Sequence, residues 1–342
     1  MIPTAPCLLA IESSCDDTAA AVLCGLEVKS NVVSSQWMHT KYGGVVPELA
    51  SRAHQTAIVE VVEKALQEAD IKLYDIDGIV CTQGPGLLGS LLVGHSFAKS
   101  LSLALGIPFY NAHHMRAHIL AHFLQTGPNQ PGPSFPFLCL TASGGHTQLV
   151  VMRHPLEMEI IGETMDDAVG EAFDKAAKML RLGYPGGPHI DRWAQGGRSD
   201  AYAFAKPKIS GLQYSFSGLK TSILQVLTKE FGPSIDYPES LLPDLCASIQ
   251  KALLDHLLEK VMKAMEETQL STLAIAGGVS ANSGLRSQLT EIAKEKGWSL
   301  FLPPIAFTMD NAAMIGADGY FQWLYGEASP LSSSAQARPE AS

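Results

Sequence analysis

The chain has 342 residues, 46% hydrophobic and 17% charged, enough for a large core spread over two domains. Its net charge of −10 argues against a generic nucleic-acid coat, which needs a positive footprint, and no apolar run reaches the ~20 residues that span a bilayer. The N-terminus lacks a secretory signal, and Cys7, Cys15, Cys24, Cys81, Cys139 and Cys246 show no C-x-x-C spacing, so the expectation is a cytoplasmic enzyme, off the membrane, with reduced buried thiols and no disulfide framework.

Residues 7–11 and 18–23 read as short buried strands joined by the turn Glu12-Ser13-Ser14-Cys15-Asp16-Asp17. Such a turn can bring hydroxyls and backbone N–H groups to a phosphate and carboxylates to a cation, although turn chemistry alone also favours Ser and Asp. Residues 43–54 form a Gly-rich turn feeding a helix whose polar residues read as a solvated face. A strand at 76–82 leads through Gln83-Gly84-Pro85-Gly86 into a long apolar helix ending near 105; the glycines permit close backbone approach and the helix N-terminus favours an anion. The strand 107–110 delivers residues 111–122, where His113, His114, His118 and His122, four of the 11 histidines, fall in one helical stretch. His114 and His118, four apart, project from one face and can close on one metal ion. The alternative is a set of half-buried histidines satisfied by hydrogen bonds.

The second half repeats this order. A strand at 137–140, the tight turn Ala142-Ser143-Gly144-Gly145-His146 and a returning strand at 147–152 precede an insertion at about 154–270. Within it, Asp167, Glu171, Asp174 and Lys178 form a polar stripe opposite Phe173, Ala176 and Leu180, and the turn Tyr184-Pro185-Gly186-Gly187-Pro188 leads to Asp191. Between Lys175 and Lys220, eight basic residues face two acidic ones, a local charge of +6 interleaved with Tyr184, Trp193, Tyr202, Phe204, Tyr214 and Phe216. That is the pattern of a nucleic-acid footprint, and equally of ordinary solvated surface. A strand at 273–276, the turn Gly277-Gly278-Val279-Ser280-Ala281-Asn282, a helix to about 296 and a strand at 299–302 follow. Thr308-Met309-Asp310-Asn311 then opens a last apolar helix to about 324, and the Ser/Pro/Ala-rich residues 329–342 read as disordered.

Two halves that each read strand–turn–strand, strand–glycine turn–helix, strand–helix predict a duplicated α/β chain with two lobes across a cleft. The pattern resembles the actin, Hsp70 and sugar-kinase (ASKHA) superfamily. Lobe I would comprise residues 1–133 with about 312–328, and lobe II residues 134–311. Asp310 occupies in the second half the place of His114 in the first, so the lobes would aim both at one cleft. A His₂-Asp set with open positions suits Fe²⁺ or Zn²⁺, whereas the plain alternative makes Asp310 a helix N-cap.

The motifs at residues 11–18 (Ile-Glu-Ser-Ser-Cys-Asp-Asp-Thr), 43–52, 113–115 (His-His-Met), 143–147 (Ser-Gly-Gly-His-Thr), 170–175 (Gly-Glu-Ala-Phe-Asp-Lys), 184–188, 215–220 and 276–282 resemble, in order over about residues 8–324, the TsaD family. This family was once called O-sialoglycoprotein endopeptidase, with relatives in the KEOPS complex. The resemblance implies an ASKHA-fold tRNA N6-adenosine threonylcarbamoyltransferase. Such an enzyme moves the threonylcarbamoyl group of L-threonylcarbamoyladenylate onto N6 of the adenosine 3′ of the anticodon, in tRNAs reading codons that start with A, forming t6A.

His114, His118 and Asp310 match the family's ligands for one divalent metal per subunit, Fe²⁺ favoured and Zn²⁺ possible. Thr141, Ala142, Ser143, Gly144 and Gly145, with Asp174, Gly187, Asp191 and Asn282, match its positions for the adenylate, an ATP/AMP-type nucleotide. Asp16 and His146 are the catalytic candidates, His146 either as a base or as the group that orients its turn. The implied partners are tRNA, TsaB and TsaE, with a functional link to TsaC. The chain departs from the family at Arg116, where an acid is usual, and at Met309, where Thr is common. Three other classes compete: a metallopeptidase, which would need the Glu of H-E-x-x-H that His113-His114-Met115-Arg116-Ala117-His118 lacks; an ASKHA-type small-molecule kinase; and a non-catalytic scaffold.

Overall fold

The structure, a computed structural model, describes residues 5–36, 44–127 and 131–338; Gly43 of the expected turn and residues 339–342 of the tail lie outside them. In chain order the elements are β1 (Cys7–Glu12), β2 (Asp17–Cys24), β3 (Glu27–Ser35), α1 (Pro47–Ala69), β4 (Gly78–Gly84), α2 (Leu88–Leu105), β5 (Phe109–His113) and α3 (His114–Leu120). They continue with β6 (Phe137–Ala142), β7 (Thr147–His154), β8 (Glu157–Glu163), α4 (Val169–Met179), α5 (Gly186–Ala194), α6 (Ser217–Phe231) and α7 (Leu242–Thr268). The chain then forms β9 (Thr272–Ala276), α8 (Ser283–Lys296), β10 (Ser299–Phe301) and α9 (Ala312–Tyr325).

The chain divides into two compact units. The first joins Met1–Pro133, His154–Met158 and Pro304–Ser342; the second joins Ser134–Arg153 and Glu159–Pro303. Asp310, placed by the sequence in lobe II, therefore lies in the same unit as His114 and His118. The reason is local: the segment after Pro304 runs straight into α9, which packs on β1, β2 and β5.

The first unit carries a sheet in the order β3-β2-β1-β4-β5. β1, β2 and β3 pair antiparallel, while β1, β4 and β5 run parallel. β1 and β2 are buried along nearly their whole length, as continuous apolar runs such as Leu8-Leu9-Ala10-Ile11 and Ala19-Ala20-Ala21-Val22 require. The second sheet runs β10-β9-β6-β7-β8, so β6, β7 and β8 take the places of β1, β2 and β3, and β9 and β10 those of β4 and β5. This is the expected duplication, with β3 and β8 as additional third strands.

Three further expectations change. Cys7 and Cys24 are register partners across β1 and β2, with Cα atoms 4.3 Å apart, and they form a disulfide; Cys15, Cys81, Cys139 and Cys246 are free. Residues 329–338 of the tail are hydrogen-bonded to the rest of the first unit rather than disordered. Ser329 N–H donates to the Phe109 carbonyl (2.8 Å), Lys99 Nζ to Ser333 O (2.8 Å), Gln336 N–H to Gln83 O (2.8 Å) and Gly86 N–H to Ala337 O (3.2 Å). A segment poor in apolar groups is thus held through its backbone. Third, α2 is the one described helix long and apolar enough to cross a membrane, although its Leu91, Gly94, His95 and Ala98 are buried and it packs on β4.

The basic, aromatic segment is not an open stacking platform. Tyr214 and Phe216 are fully buried, and Trp193, Tyr202 and Phe204 pack against the core of the second unit. Lys175 and Lys220 both pair with Asp167 (2.7 and 2.8 Å), Arg198 with Asp244 (2.7 Å) and Arg181 with Asp236 (3.9 Å), so acids from elsewhere offset much of the +6.

Candidate functional site

β5 lies parallel to β4 and passes directly into α3, so residues 111–113 are strand and the helix begins at His114, later than the periodicity predicts. His113 caps the helix, its Nδ1 accepting from Arg116 N–H at 3.3 Å. One turn apart, His114 and His118 set their rings edge to face with centroids 4.8 Å apart. Both Nε2 atoms face Oδ1 of Asp310, at 3.5 Å from His114 and 3.1 Å from His118. Asp310 is not the N-cap of α9: Asn311 fills that position by accepting Met314 N–H at 3.0 Å. The Asp310 carboxylate is left to meet the imidazoles.

One potential ligand atom from each of the three residues lies within 4.8 Å of the others. Two imidazole nitrogens and a carboxylate oxygen on one side of a space form the donor set of Zn²⁺ or Fe²⁺ sites that keep open positions. The side chains present fit a divalent ion. His118 is 1% exposed and its Nδ1 has no hydrogen-bond partner among the described residues.

His114 is held on its other side as well. Its Nδ1 lies 3.2 Å from Oε2 of Glu12 and 3.3 Å from Ser14 Oγ. Glu12, at 1% exposure, also accepts the Thr82 hydroxyl on Oε2 (2.5 Å) and the Ser14 N–H on Oε1. Burial disfavours the imidazolium of His114, but Asp310 and Glu12 outweigh it and raise its pKa to about 10. Burial likewise opposes ionisation of Asp310, yet His114 and His118 hold its carboxyl well below the usual range.

Arg116, the departure from the family pattern, points to the opposite face of α3. Its Nε and Nη2 reach Oδ1 and Oδ2 of Asp318 on α9 at 2.5 and 3.1 Å, and Nη1 donates to Leu156 O at 3.3 Å. Asp318 also accepts His113 N–H (3.1 Å) and Gln322 Nε2 (2.9 Å). The pair ties the histidine helix to the helix that follows Asp310.

Asp16 sits half-buried on the β1–β2 turn. Burial, together with the charges of Asp16, Asp310 and Glu12, raises the neighbouring Asp17 to about 6 against a hydrogen bond from Ser35. His146 lies in the second unit, where Ser143 N–H donates to its carbonyl (2.8 Å) and its own N–H donates to Ser143 Oγ (3.1 Å), closing the turn. Thr141 and Ala142 are buried in β6; Ser143, Gly144 and Gly145 are the accessible members of the motif. Two glycines let other segments approach this turn. A Cβ on Gly170 would sit 2.5 Å from Ser143 O, and one on Gly277, at φ +85°, 2.5 Å from Ala142 O.

The remaining predicted positions lie on helices of the same unit: Asp174 inside α4, Gly187 and Asp191 in α5, and Asn282 at the N-cap of α8. Asp174 accepts Gly186 N–H (2.6 Å) and Gly187 N–H at the start of α5, and burial still raises its pKa. Asp191 accepts the N–H and hydroxyl of Ser283 at 3.0 and 2.8 Å. Asn282 caps α8 through Leu285 N–H (2.9 Å) and donates to Gln250 (2.7 Å). The structure thus places the three candidate metal ligands in one unit and the positions expected to meet the adenylate in the other. Of the site partners, the sequence marks Glu12 only as one carboxylate of the turn 12–17 and not as the partner of His114, and it singles out neither Thr82 nor Asp318.

A profile of the TsaD family, described as tRNA N6-adenosine threonylcarbamoyltransferase, matches residues 27–317. A relative of that name from Christiangramia forsetii is 54% identical over 97% of this chain and 97% of its own length; one from Porphyromonas gingivalis is 52% identical over 95% of each. Among solved structures, T. kodakarensis HypF aligns with a TM-score of 0.60 at 14% identity, over 95% of this chain and 49% of HypF. The activator of the 2-hydroxyisocaproyl-CoA dehydratase from Clostridium difficile aligns with a TM-score of 0.52 at 13% identity, over 96% of this chain and 100% of its own. The structural likenesses show the fold, the ASKHA architecture, and the sequence relatives show the lineage: this chain belongs to the TsaD family of tRNA N6-adenosine threonylcarbamoyltransferases.

Proposed function

We infer that the chain transfers the threonylcarbamoyl group of L-threonylcarbamoyladenylate to N6 of the adenosine 3′ of the anticodon, forming t6A in tRNAs that read codons starting with A. The observation that carries this reading is the convergence of His114 Nε2, His118 Nε2 and Asp310 Oδ1 in a chain matched to this family over residues 27–317. In the reaction the N6 lone pair attacks the carbamoyl carbon, the bond from that carbon to the phosphate oxygen breaks, AMP leaves, and N6 loses a proton. His114, His118 and Asp310 would hold one divalent ion, Fe²⁺ by preference and Zn²⁺ as the alternative, which would supply Lewis acidity to carbamoyl or phosphate oxygens. The Ala142–Gly145 turn would supply backbone donors from Gly144 and Gly145, since Ser143 N–H is held by the His146 carbonyl, to the charge that develops as the bond to AMP breaks. Asp174 and Asp191 hold the nucleotide sugar with Gly187 beside them, and Asn282 fixes the base end. Asp16 and His146 are the candidates to take the N6 proton.

A peptidase reading finds no support in the geometry. Met115, not Glu, follows His114, and the carboxylate nearest its ring, Glu12, is bonded to Nδ1, the nitrogen turned from Asp310. The partners in this proposal are tRNA, TsaB and TsaE, with TsaC making the adenylate, in the cytoplasm. The test combines purified chain, adenylate, unmodified tRNA and the partner proteins, with t6A counted by mass spectrometry of nucleosides. Product should vanish after chelation, return with Fe²⁺ or Zn²⁺, and be absent in His114→Ala. Wild-type t6A yield from metal-free His114→Ala protein would overturn the assignment.

A further inference from the structure

We propose that Glu12 is a positioning residue for the cation site: its carboxylate holds Nδ1–H of His114 and so aims Nε2 at the space shared with His118 and Asp310. An ionised carboxylate only accepts, so the shared proton must sit on the Nδ1 side, which fixes the tautomer in which Nε2 carries the ligating lone pair. A ligating imidazole is commonly oriented in this way by a carboxylate on its second nitrogen. Glu12 is well suited to the role because it cannot itself turn. It is 1% exposed at the end of β1, with Oε1 bonded to Ser14 N–H and Oε2 to the Thr82 hydroxyl on neighbouring β4. The two histidines are therefore unequal. His114 is braced by a buried carboxylate, whereas His118 Nδ1 has no hydrogen-bond partner among the described residues. Loss of the brace should act through His114 alone.

This inference rests on the metal reading of His114, His118 and Asp310, and the experiment separates the two. Metal-free full-length protein is titrated with Co²⁺, the affinity read by competition with a chelator and the site by its visible d–d bands. Circular dichroism of each metal-free variant verifies the fold. Glu12→Ala should weaken Co²⁺ binding by about 10–100-fold and change the bands. Glu12→Gln keeps an acceptor for Nδ1 and should recover part of that loss. Thr82→Val, which removes one donor to Oε2 without touching a ligand and serves if Glu12→Ala does not fold, should weaken binding less than either. His114→Ala should lose binding altogether. If His114→Ala loses Co²⁺ while both Glu12 variants keep wild-type affinity and bands, Glu12 has no positioning role and the metal reading stands. If His114→Ala binds as the wild type does, the metal reading and this inference fall together.

Discussion

Arg116→Met tests whether the ion pair on the far face of α3 holds the histidine helix in place. The side chain of Asp318 is fully buried and that of Arg116 is 13% exposed, so water cannot take over from the guanidinium. Among the described residues Arg116 contributes two of the four donors on Asp318, and its removal leaves the carboxylate His113 N–H and the Gln322 amide. Methionine keeps most of the apolar stem, which isolates the loss of charge. Breaking a buried pair from one side typically costs about 3–5 kcal/mol, because the surviving charge stays buried without compensation. Removing the second charge as well, in Arg116→Met/Asp318→Asn, should recover about 0.5–3 kcal/mol as coupling energy. Urea unfolding of metal-free protein reads both, with Trp323 on α9 as a fluorophore in the affected unit and each unit's transition fitted separately. A single-variant loss under ~1 kcal/mol, with strictly additive double-variant behaviour, would show that the pair does not anchor α3.

Three further outcomes follow from the geometry. In metal-free protein, the folded pKa of His114 near 10 lies above the ordinary value of 6.5, so the folded state binds its proton more tightly. That contribution is complete below about 6.5 and is lost as pH rises through about 10; His114→Gln should flatten this part of a urea-midpoint profile, and an unchanged slope would contradict the assignment. Gly277→Ala forces a side chain onto φ +85° with its Cβ 2.5 Å from Ala142 O, so thermal unfolding should report a loss of about 1–3 kcal/mol, with t6A formation falling alongside. Truncation after residue 328 removes the bonds to Phe109, Gln83, Gly86 and Lys99 and should destabilise the first unit by about 0.5–1.5 kcal/mol for each lost bond that water does not replace, measurable as a lower urea midpoint.

The apolar runs made most of the fold legible. β1, β2, β4, β6 and β9 are buried in the duplicated sheets and advertise themselves as short hydrophobic segments between turn residues. β3 and β8 did not, because Glu27–Ser35 and Glu157–Glu163 mix charged and apolar residues at positions only partly shielded. Composition misled at the tail, where serine and proline suggest disorder but backbone groups are paired, and in the 175–220 segment, where Tyr214 and Phe216 belong to the core. At the site, the i,i+4 spacing of His114 and His118 was readable because a helix imposes it. The assignment of Asn311 rather than Asp310 as cap was not, since either residue serves. Glu12 lies 102 positions from His114, and only the β1–β4–β5 register brings them together.

The first unit is discontinuous, and this sets an order of events at the ribosome. Its residues up to Pro133 emerge early, but α9, which packs on β1, β2 and β5, follows Pro304 and emerges only after the second unit has been synthesised. At typical translation rates of about 5–20 residues per second, that interval is roughly 10–30 s. Throughout it the apolar β1 and β2 surface waits for its cover and the two histidines wait for Asp310. The second unit, the one made later, is the first able to complete itself. Expression at lowered temperature, or with added chaperones, should therefore affect recovery of the first unit more than that of the second.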